Sequence, residues 1–197
     1  MSIRGDAPLG PVDGSRRPAP VSNGVLAMLI FVIAETMLFA GFISAFTIIR
    51  SSAMQWPPPD QPRLPVEATA VTTLALLASG VLLLMAHRAF HGGNRARTRT
   101  PLMAAFGLGA FFVLFQGFEW VRLIAQGLTL TSSNLGSFFY LIVGIHALHA
   151  IGALGLLAYA CVRLQRGWLT ASVFGAAEVF WLFVVGIWPV LYGVVYW

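Results

Sequence analysis

Five long apolar segments, separated by loops that carry most of the arginines, dominate this chain of 197 residues. A helix rises about 1.5 Å per residue, so roughly 20 residues are needed to cross the hydrocarbon core of a bilayer. Each of the five segments meets that length. The pattern predicts an all-α integral membrane protein, a bundle of five transmembrane helices at about residues 24–49, 66–86, 102–124, 136–162 and 172–196.

The composition agrees with a membrane protein. Hydrophobic residues make up 58% of the chain and charged residues only 10%, which is far fewer charges than the surface of a soluble domain requires. Residues 1–22 contain no apolar core of the length that a cleavable signal peptide needs, and their proline, glycine and charge predict a flexible cytoplasmic arm. The membrane domain is expected to occupy residues 23–197. Its single cysteine, Cys161, allows no internal disulfide.

The arginines predict how the bundle is oriented. The N-terminal arm and the second and fourth loops together carry nine arginines, whereas the other side carries three. Basic residues are enriched on the cytoplasmic side of membrane proteins. We therefore expect the N-terminus in the cytoplasm and the C-terminus outside. No internal repeat is evident, so an inverted-repeat transporter has little support.

Several polar side chains fall inside the predicted spans. They are Glu35, Gln116, Glu119, His146, His149 and Glu178. Ionisable groups are rare in a membrane span and usually face protein or a cavity. Glu35 is near mid-span with no arginine within a turn, so we expect it to be neutral or to share a proton with a neighbouring helix. Glu119 is expected to pair with Arg122, one turn further on.

His146 and His149 are three residues apart, which places both rings on one face of a helix. A metal would need further ligands, and no nearby motif supplies them. Two rings on one helix face also cannot be the opposite axial ligands of one haem. We expect structural histidines that bond Glu35, Glu119 or Gln116 and hold the third and fourth spans together, with His146 within reach of Gln116 and less easily of Glu119. A metal- or haem-binding membrane enzyme that uses the two histidines is an alternative.

The remaining candidates lie near the span ends. Trp56 is a predicted interface anchor, and the prolines after it predict a stiff, extended loop. Glu178 is two turns into the fifth span and is expected either to reach the surface or to pair with Arg163 or Arg166. The chain shows no phosphate loop, no Ser–His–Asp pattern and no cysteine cluster, so we expect no catalytic site and no metal site in it.

Several motifs, taken in order, resemble subunit III of the haem–copper terminal oxidases, in its short five-span bacterial form. They run from about Val25 to the C-terminus and read AETMLFAGF, WPPP, FQGFEW and SSNLGSFFYLIVGIHALHAIGAL. The resemblance implies a non-catalytic subunit of a respiratory complex that reduces oxygen and translocates protons. It also implies that Glu35 is the family's mid-membrane carboxylate, that Glu119 is its third-span glutamate, and that His146 and His149 are its paired histidines.

The same resemblance implies partners and cofactors. Subunit III packs beside subunit I, which holds haem and copper. Subunit II, which holds further copper, is a second candidate partner, and other respiratory complexes are further candidates. This chain would carry no redox group of its own, would bind phospholipid, and would support proton uptake and the stability of subunit I in a bacterial inner (plasma) membrane. The electron donor, cytochrome c or quinol, is set by other subunits. A second possible identity within the same family is an accessory subunit of a nitric oxide reductase. From a different functional class, an independent transporter or channel is the alternative.

The last span departs from the family pattern, W-H-F-x-D followed by Trp. Its stretch reads FWLFVVGIWP, so Leu182 and Val185 stand where the family has His and Asp, and Pro189 is also unusual. The family's polar network on this helix is therefore not expected here. Glu178, one turn earlier, is a candidate for partial compensation.

Overall fold

The structure, a computed structural model, describes residues 22–56 and 64–196, and this part of the chain forms five α-helices. They are α1 Asn23–Ser52, α2 Val66–His91, α3 Arg95–Ala125, α4 Asn134–Gln165 and α5 Ala171–Tyr196. All five are long and apolar enough to cross a membrane, so the predicted all-α, five-span bundle is confirmed. The expected arm, apart from Ser22, and the expected proline loop at residues 57–63 lie outside the described residues.

The helices extend beyond the predicted spans, most clearly on either side of the second loop. α2 continues to His91 and α3 begins at Arg95, which leaves a turn of only three residues, 92–94. Gly93 adopts a positive φ of 73°, and the Asn94 side chain accepts a hydrogen bond from the backbone N–H of Arg97. The predicted spans end where the charged residues lower the hydropathy. Helical hydrogen bonds do not depend on hydropathy, so a helix can continue beyond the apolar part of a span. The predicted long, arginine-rich loop was therefore largely helix.

The central helix of the bundle is α5. Its backbone runs close to those of α1, α2 and α4. The backbone of α3 lies against α2 and α4, and α3 reaches α5 through side chains such as Phe112 and Gln116. Within the described residues, the backbone of α1 comes close only to those of α4 and α5. Accordingly only 6% of the residues in its most apolar stretch are buried, and Leu26, Ile30, Ile33 and Met37 are all exposed. Most of α1 therefore faces whatever surrounds this chain.

Two tryptophans of α5 form hydrogen bonds with α2. Trp181 and Trp188 are fully buried, and their indole N–H groups donate to Ser79 Oγ at 3.1 Å and to Thr73 Oγ1 at 2.8 Å. A buried N–H group away from water needs such a partner, and Ser or Thr on a facing helix provides it. The small hydroxyl residues of α2 are therefore part of the helix–helix contact.

Candidate functional site

Glu35 on α1 and His149 on α4 face each other inside the bundle. His149 Nε2 lies 3.0 Å from Glu35 Oε2, with the two side chains 11% and 18% exposed. The contact is at ion-pair distance but is not aligned as a hydrogen bond, and Glu35 Oε2 has no other partner among the described residues. This pair brings together two of the residues singled out from the sequence.

The second ring nitrogen of His149 determines how the pair holds its proton. His149 Nδ1 is 2.7 Å from the carbonyl oxygen of Ile145, which can only accept, so Nδ1 carries a hydrogen. In a neutral ring Nε2 then has no hydrogen. The facing groups are therefore either a carboxylic acid beside a bare Nε2 or a carboxylate beside an imidazolium. A carboxylate facing a bare Nε2 at 3.0 Å would set two acceptors against each other, so one proton rests on either Glu35 or His149.

Aromatic rings enclose the pair. Ring centroids lie 5.6 to 6.3 Å from that of His149 for Phe39 and Phe31 of α1 and for Phe180 and Phe183 of α5. These apolar rings lower the local dielectric constant around His149, and polar interactions are stronger where that constant is low. A lone charge on either group would be costly there, so Glu35 and His149 act as one unit.

His146 does not bond Gln116, so that expectation is wrong. The His146 ring is 1% exposed and stacks on Trp188 with centroids 5.0 Å apart, and neither ring nitrogen has a described partner. Gln116 instead donates from Nε2 to the hydroxyl of Tyr196 at 3.0 Å. The expectation rested on the similar distances of Gln116 and His146 from the same side of the membrane. Residues at one depth meet only if the rotation of each helix about its axis turns them toward each other.

The two histidines do not join the third and fourth spans as expected, although the contact of His149 with Glu35 is one of the expected ones. His149 contacts α1 and α5, and His146 stacks on α5 and lies near Phe39 of α1. The expected direct bond between the third and fourth spans is therefore replaced by contacts that α4 makes with α1 and α5. The central place of α5 is the reason, and no local sequence pattern indicates it.

The expected pair between Glu119 and Arg122 is present. Arg122 Nη1 lies 3.2 Å from Glu119 Oε1 on the same helix. The Glu119 side chain is only 7% exposed while that of Arg122 is 57% exposed. The carboxylate is thus inside the bundle, and only its partner reaches the surface.

Within the described residues Glu178 pairs with neither arginine, and its side chain is only 10% exposed, so both forms of that expectation are wrong. Its Oε2 lies 2.5 Å from His87 Nδ1 of α2, and the His91 ring stacks on His87 with centroids 4.1 Å apart. The continuation of α2 beyond its predicted end carries His87 to the flank of α5. Arg163 lies instead over the Tyr159 ring, 5.2 Å from its centroid.

Apolar packing fills the positions where the related family has His and Asp. Val185 is buried and lies so close to Gly80 that a Cβ there would be 3.0 Å from its Cγ1. Leu182 lines a crevice together with Glu178, His87 and His91. Pro189 lies within α5 without ending it.

Trp56 is half-buried and packs edge-to-face on Phe46 of α1, with ring centroids 5.5 Å apart. It is thus held against the end of α1, and its role as an interface anchor stays a prediction. In the two described stretches, no group of three or more His, Cys, Asp and Glu side chains is arranged to hold a metal ion.

Three side chains of this polar interior were not singled out from the sequence, namely His87, Trp188 and Tyr196. His87 was assigned to a loop end. Trp188 and Tyr196 lie in the apolar last span, yet buried tryptophan and tyrosine usually bond a partner through N–H or O–H. That rule is the signal that would have paired them with polar residues on other helices.

Comparison with known proteins gives one consistent result. The family model described as cytochrome c oxidase subunit III matches residues 11–197. The probable cytochrome c oxidase subunit 3 of Mycobacterium tuberculosis (strain CDC 1551 / Oshkosh) is 33% identical over 204 residues, covering 100% of this chain and 97% of the relative. That of Nocardia farcinica is 31% identical over 188 residues, covering 94% and 91%. Cytochrome c oxidase subunit 3 of Petromyzon marinus is 34% identical over 189 residues, covering 91% of this chain and 71% of that protein.

Proposed function

Because the chain belongs to the cytochrome c oxidase subunit III family, we propose that it packs beside subunit I of an oxidase complex and stabilises it. The match over residues 11–197 carries this proposal, and it confirms the resemblance seen in the motifs. Subunit III of this family is a non-catalytic part of a haem–copper oxidase in the respiratory chain, and an independent transporter or a metal enzyme is not favoured. The haem and copper of the complex belong to its partner subunits.

The exposure of α1 supports a protein partner at that helix. Few residues in its most apolar stretch are buried by the rest of the chain, and it carries Glu35, whose side chain is 18% exposed. An ionisable group left against lipid is costly, and a partner helix would cover it. We therefore take α1 as part of the surface that contacts subunit I.

The Glu35–His149 unit supports a role in proton handling. One proton moving between the carboxyl group and Nε2 leaves the net charge of the pair unchanged, so the apolar surroundings do not oppose the movement strongly. We propose that the pair holds a proton at the edge of subunit I and so assists proton uptake by the complex. Phospholipid binding, a contact with subunit II and a bacterial inner membrane location are proposed on the family alone.

An affinity-tagged chain is expected to co-purify with a larger, haem-containing protein. His146→Phe and His149→Phe should leave the haem spectrum and the copper content of that complex unchanged, because the proposal gives neither ring a metal to bind. The measurements are an absorption spectrum, metal analysis and identification of the co-purifying chains. Purification without any haem protein would contradict the proposed function, and a stoichiometric loss of haem or metal in either variant would restore the cofactor alternative.

We also propose the orientation indicated by the arginines, with the N-terminus in the cytoplasm. A reporter enzyme that is active only outside the cytoplasm should be active when fused after Trp197. The same reporter fused in the turn after α2, at Gly93, is the matched control and should be inactive. The reverse pattern of activities would invert the topology.

A further inference from the structure

One side of the central helix α5 is left uncovered by the other described helices. α1 and α2 both run along α5, but their backbones do not come close to each other. The residues of this side follow one another at three or four positions, so they share one face of the helix. We call them the α5 strip: Ala171, Gly175, Glu178, Leu182, Gly186, Val190 and Gly193.

The strip begins in a crevice and continues on the surface of the bundle. Its first four residues form the floor of the crevice, whose walls are Ser22 and Val25 of α1 and His87 and His91 of α2. Its last three residues, Gly186, Val190 and Gly193, are exposed. The strip therefore forms the bottom of a groove that has α1 on one side and α2 on the other where the crevice lies.

Glu178 is a buried carboxylate with one oxygen left open in this groove. Its side chain is only 10% exposed, and Oε2 is held by His87. The other oxygen, Oε1, bonds no described residue, and it is not one of the fully enclosed polar atoms. Because Glu178 lines the crevice, Oε1 opens on it as an acceptor without a donor.

The depth of Glu178 favours a protein donor. It lies seven residues after Ala171, where α5 begins, which is about 10 Å along the helix. An ionisable group in a membrane span usually faces protein, because lipid chains offer it no hydrogen-bond donor. Water in the crevice would reach Glu178, but it would leave the apolar part of the strip, from Leu182 to Gly193, without a partner.

The length and the small residues of the strip suit a transmembrane helix. From Ala171 to Gly193 the strip is about 33 Å long, close to the thickness of the hydrocarbon core. A Cβ atom added at Gly186 or Gly193 would meet nothing within 4 Å, so no contact within the described chain requires glycine there. Small residues let membrane helices approach each other closely.

We propose that a transmembrane helix of another subunit packs along the α5 strip and places a lysine or arginine side chain at Glu178 Oε1. A long basic side chain can lie along its own helix and bring its charge to that level of the membrane. The proposal rests on the proposed function only in that the helix belongs to the oxidase complex. It names a second contact surface, next to the exposed face of α1.

The test is photo-crosslinking in native membranes. A benzophenone amino acid replaces Val190, which is 48% exposed, in the full-length, affinity-tagged chain. Peptide mass spectrometry should find it linked to an apolar span of another protein. Val190 and Glu178 are twelve residues apart, so that span should carry a lysine or arginine about 18 Å from the linked residue. The same amino acid at Leu114 of α3, a 74% exposed position, should not label that span.

Substitutions then test the charge and the shape of the strip. Glu178→Gln keeps the size of the side chain and a group that can bond His87, but it loses the charge. Association should become about tenfold weaker, as for the loss of a hydrogen bond to a charged group. The readout is the cross-link yield on dilution of the detergent-solubilised complex. Gly186→Leu fills the strip and should also weaken association, whereas Gly155→Leu, on an open position of α4, should not.

A charge reversal gives the strictest version of the test. Glu178→Arg should abolish the cross-link, and replacing the basic residue of the partner helix by glutamate in the same cells should restore it. Restoration also shows that the Glu178→Arg chain is still folded.

Three results would overturn the proposal. They are cross-links to phospholipid alone or to nothing, a linked span without a basic residue at the expected distance, and association that both Glu178→Gln and Gly186→Leu leave unchanged. The first is the result that a lipid-filled groove would give. None of them depends on whether the chain co-purifies with a haem protein, so the two proposals fail separately.

Discussion

Trp188→Ala is expected to destabilise the bundle by about 3–5 kcal/mol, the range for removing a fully buried aromatic side chain. Trp188 is 0% exposed. It bonds Thr73 of α2 and contacts Phe112 of α3 and His146 of α4. One side chain therefore connects α5 to three other helices, and lipid cannot fill the space that its removal leaves in the interior.

The measurement is the free energy of unfolding of the purified chain, titrated with SDS in mixed micelles. Trp168→Ala is the matched control, because Trp168 is 66% exposed and its loss should change stability by no more than about 0.5 kcal/mol. Trp188→Phe keeps a ring but loses the bond to Thr73, which costs about 0.6–2 kcal/mol in a membrane protein. Equal effects of the two alanine substitutions would contradict the role given to Trp188.

Gly109→Ala is expected to destabilise the protein by about 1–3 kcal/mol, as overpacking of a tight interior does. A Cβ atom at Gly109 would overlap the Trp181 indole ring and lie 3.2 Å from Leu154 Cδ1. Trp181 is a rigid, fully buried side chain held by its bond to Ser79, so it has little room to yield. The substitution should push α3 away from α5.

Gly107→Ala is the matched control on the same helix. Nothing lies within 4 Å of a Cβ atom at Gly107, and alanine favours helix over glycine by up to about 1 kcal/mol. The two substitutions, two residues apart, should therefore shift the unfolding free energy in opposite directions. A loss of stability at both positions would mean that helix flexibility, rather than the contact with Trp181, explains the glycine at position 109.

The fold class and the membership of the chain in its family followed from local features of the sequence. Segment length and hydropathy identify membrane spans because a bilayer imposes one thickness and one solvent on every helix. The motif around His146 and His149 carried the family resemblance. Helix ends were less well predicted, as α2 and α3 show, because hydropathy reports where lipid ends and not where helical hydrogen bonding ends.

The pairing of the polar residues depended on the tertiary structure. Sequence spacing placed Arg122 beside Glu119, since both are on one helix, and it placed both histidines on one face of α4. It offered Glu35 only as one of three candidate partners of the histidines, and it did not assign Gln116 to Tyr196 or Glu178 to His87, because each of these contacts joins two helices. The neighbours of a helix and its rotation about its own axis are set by how all five helices pack together. Only the packed bundle, with α5 at its centre, therefore decided which polar groups meet.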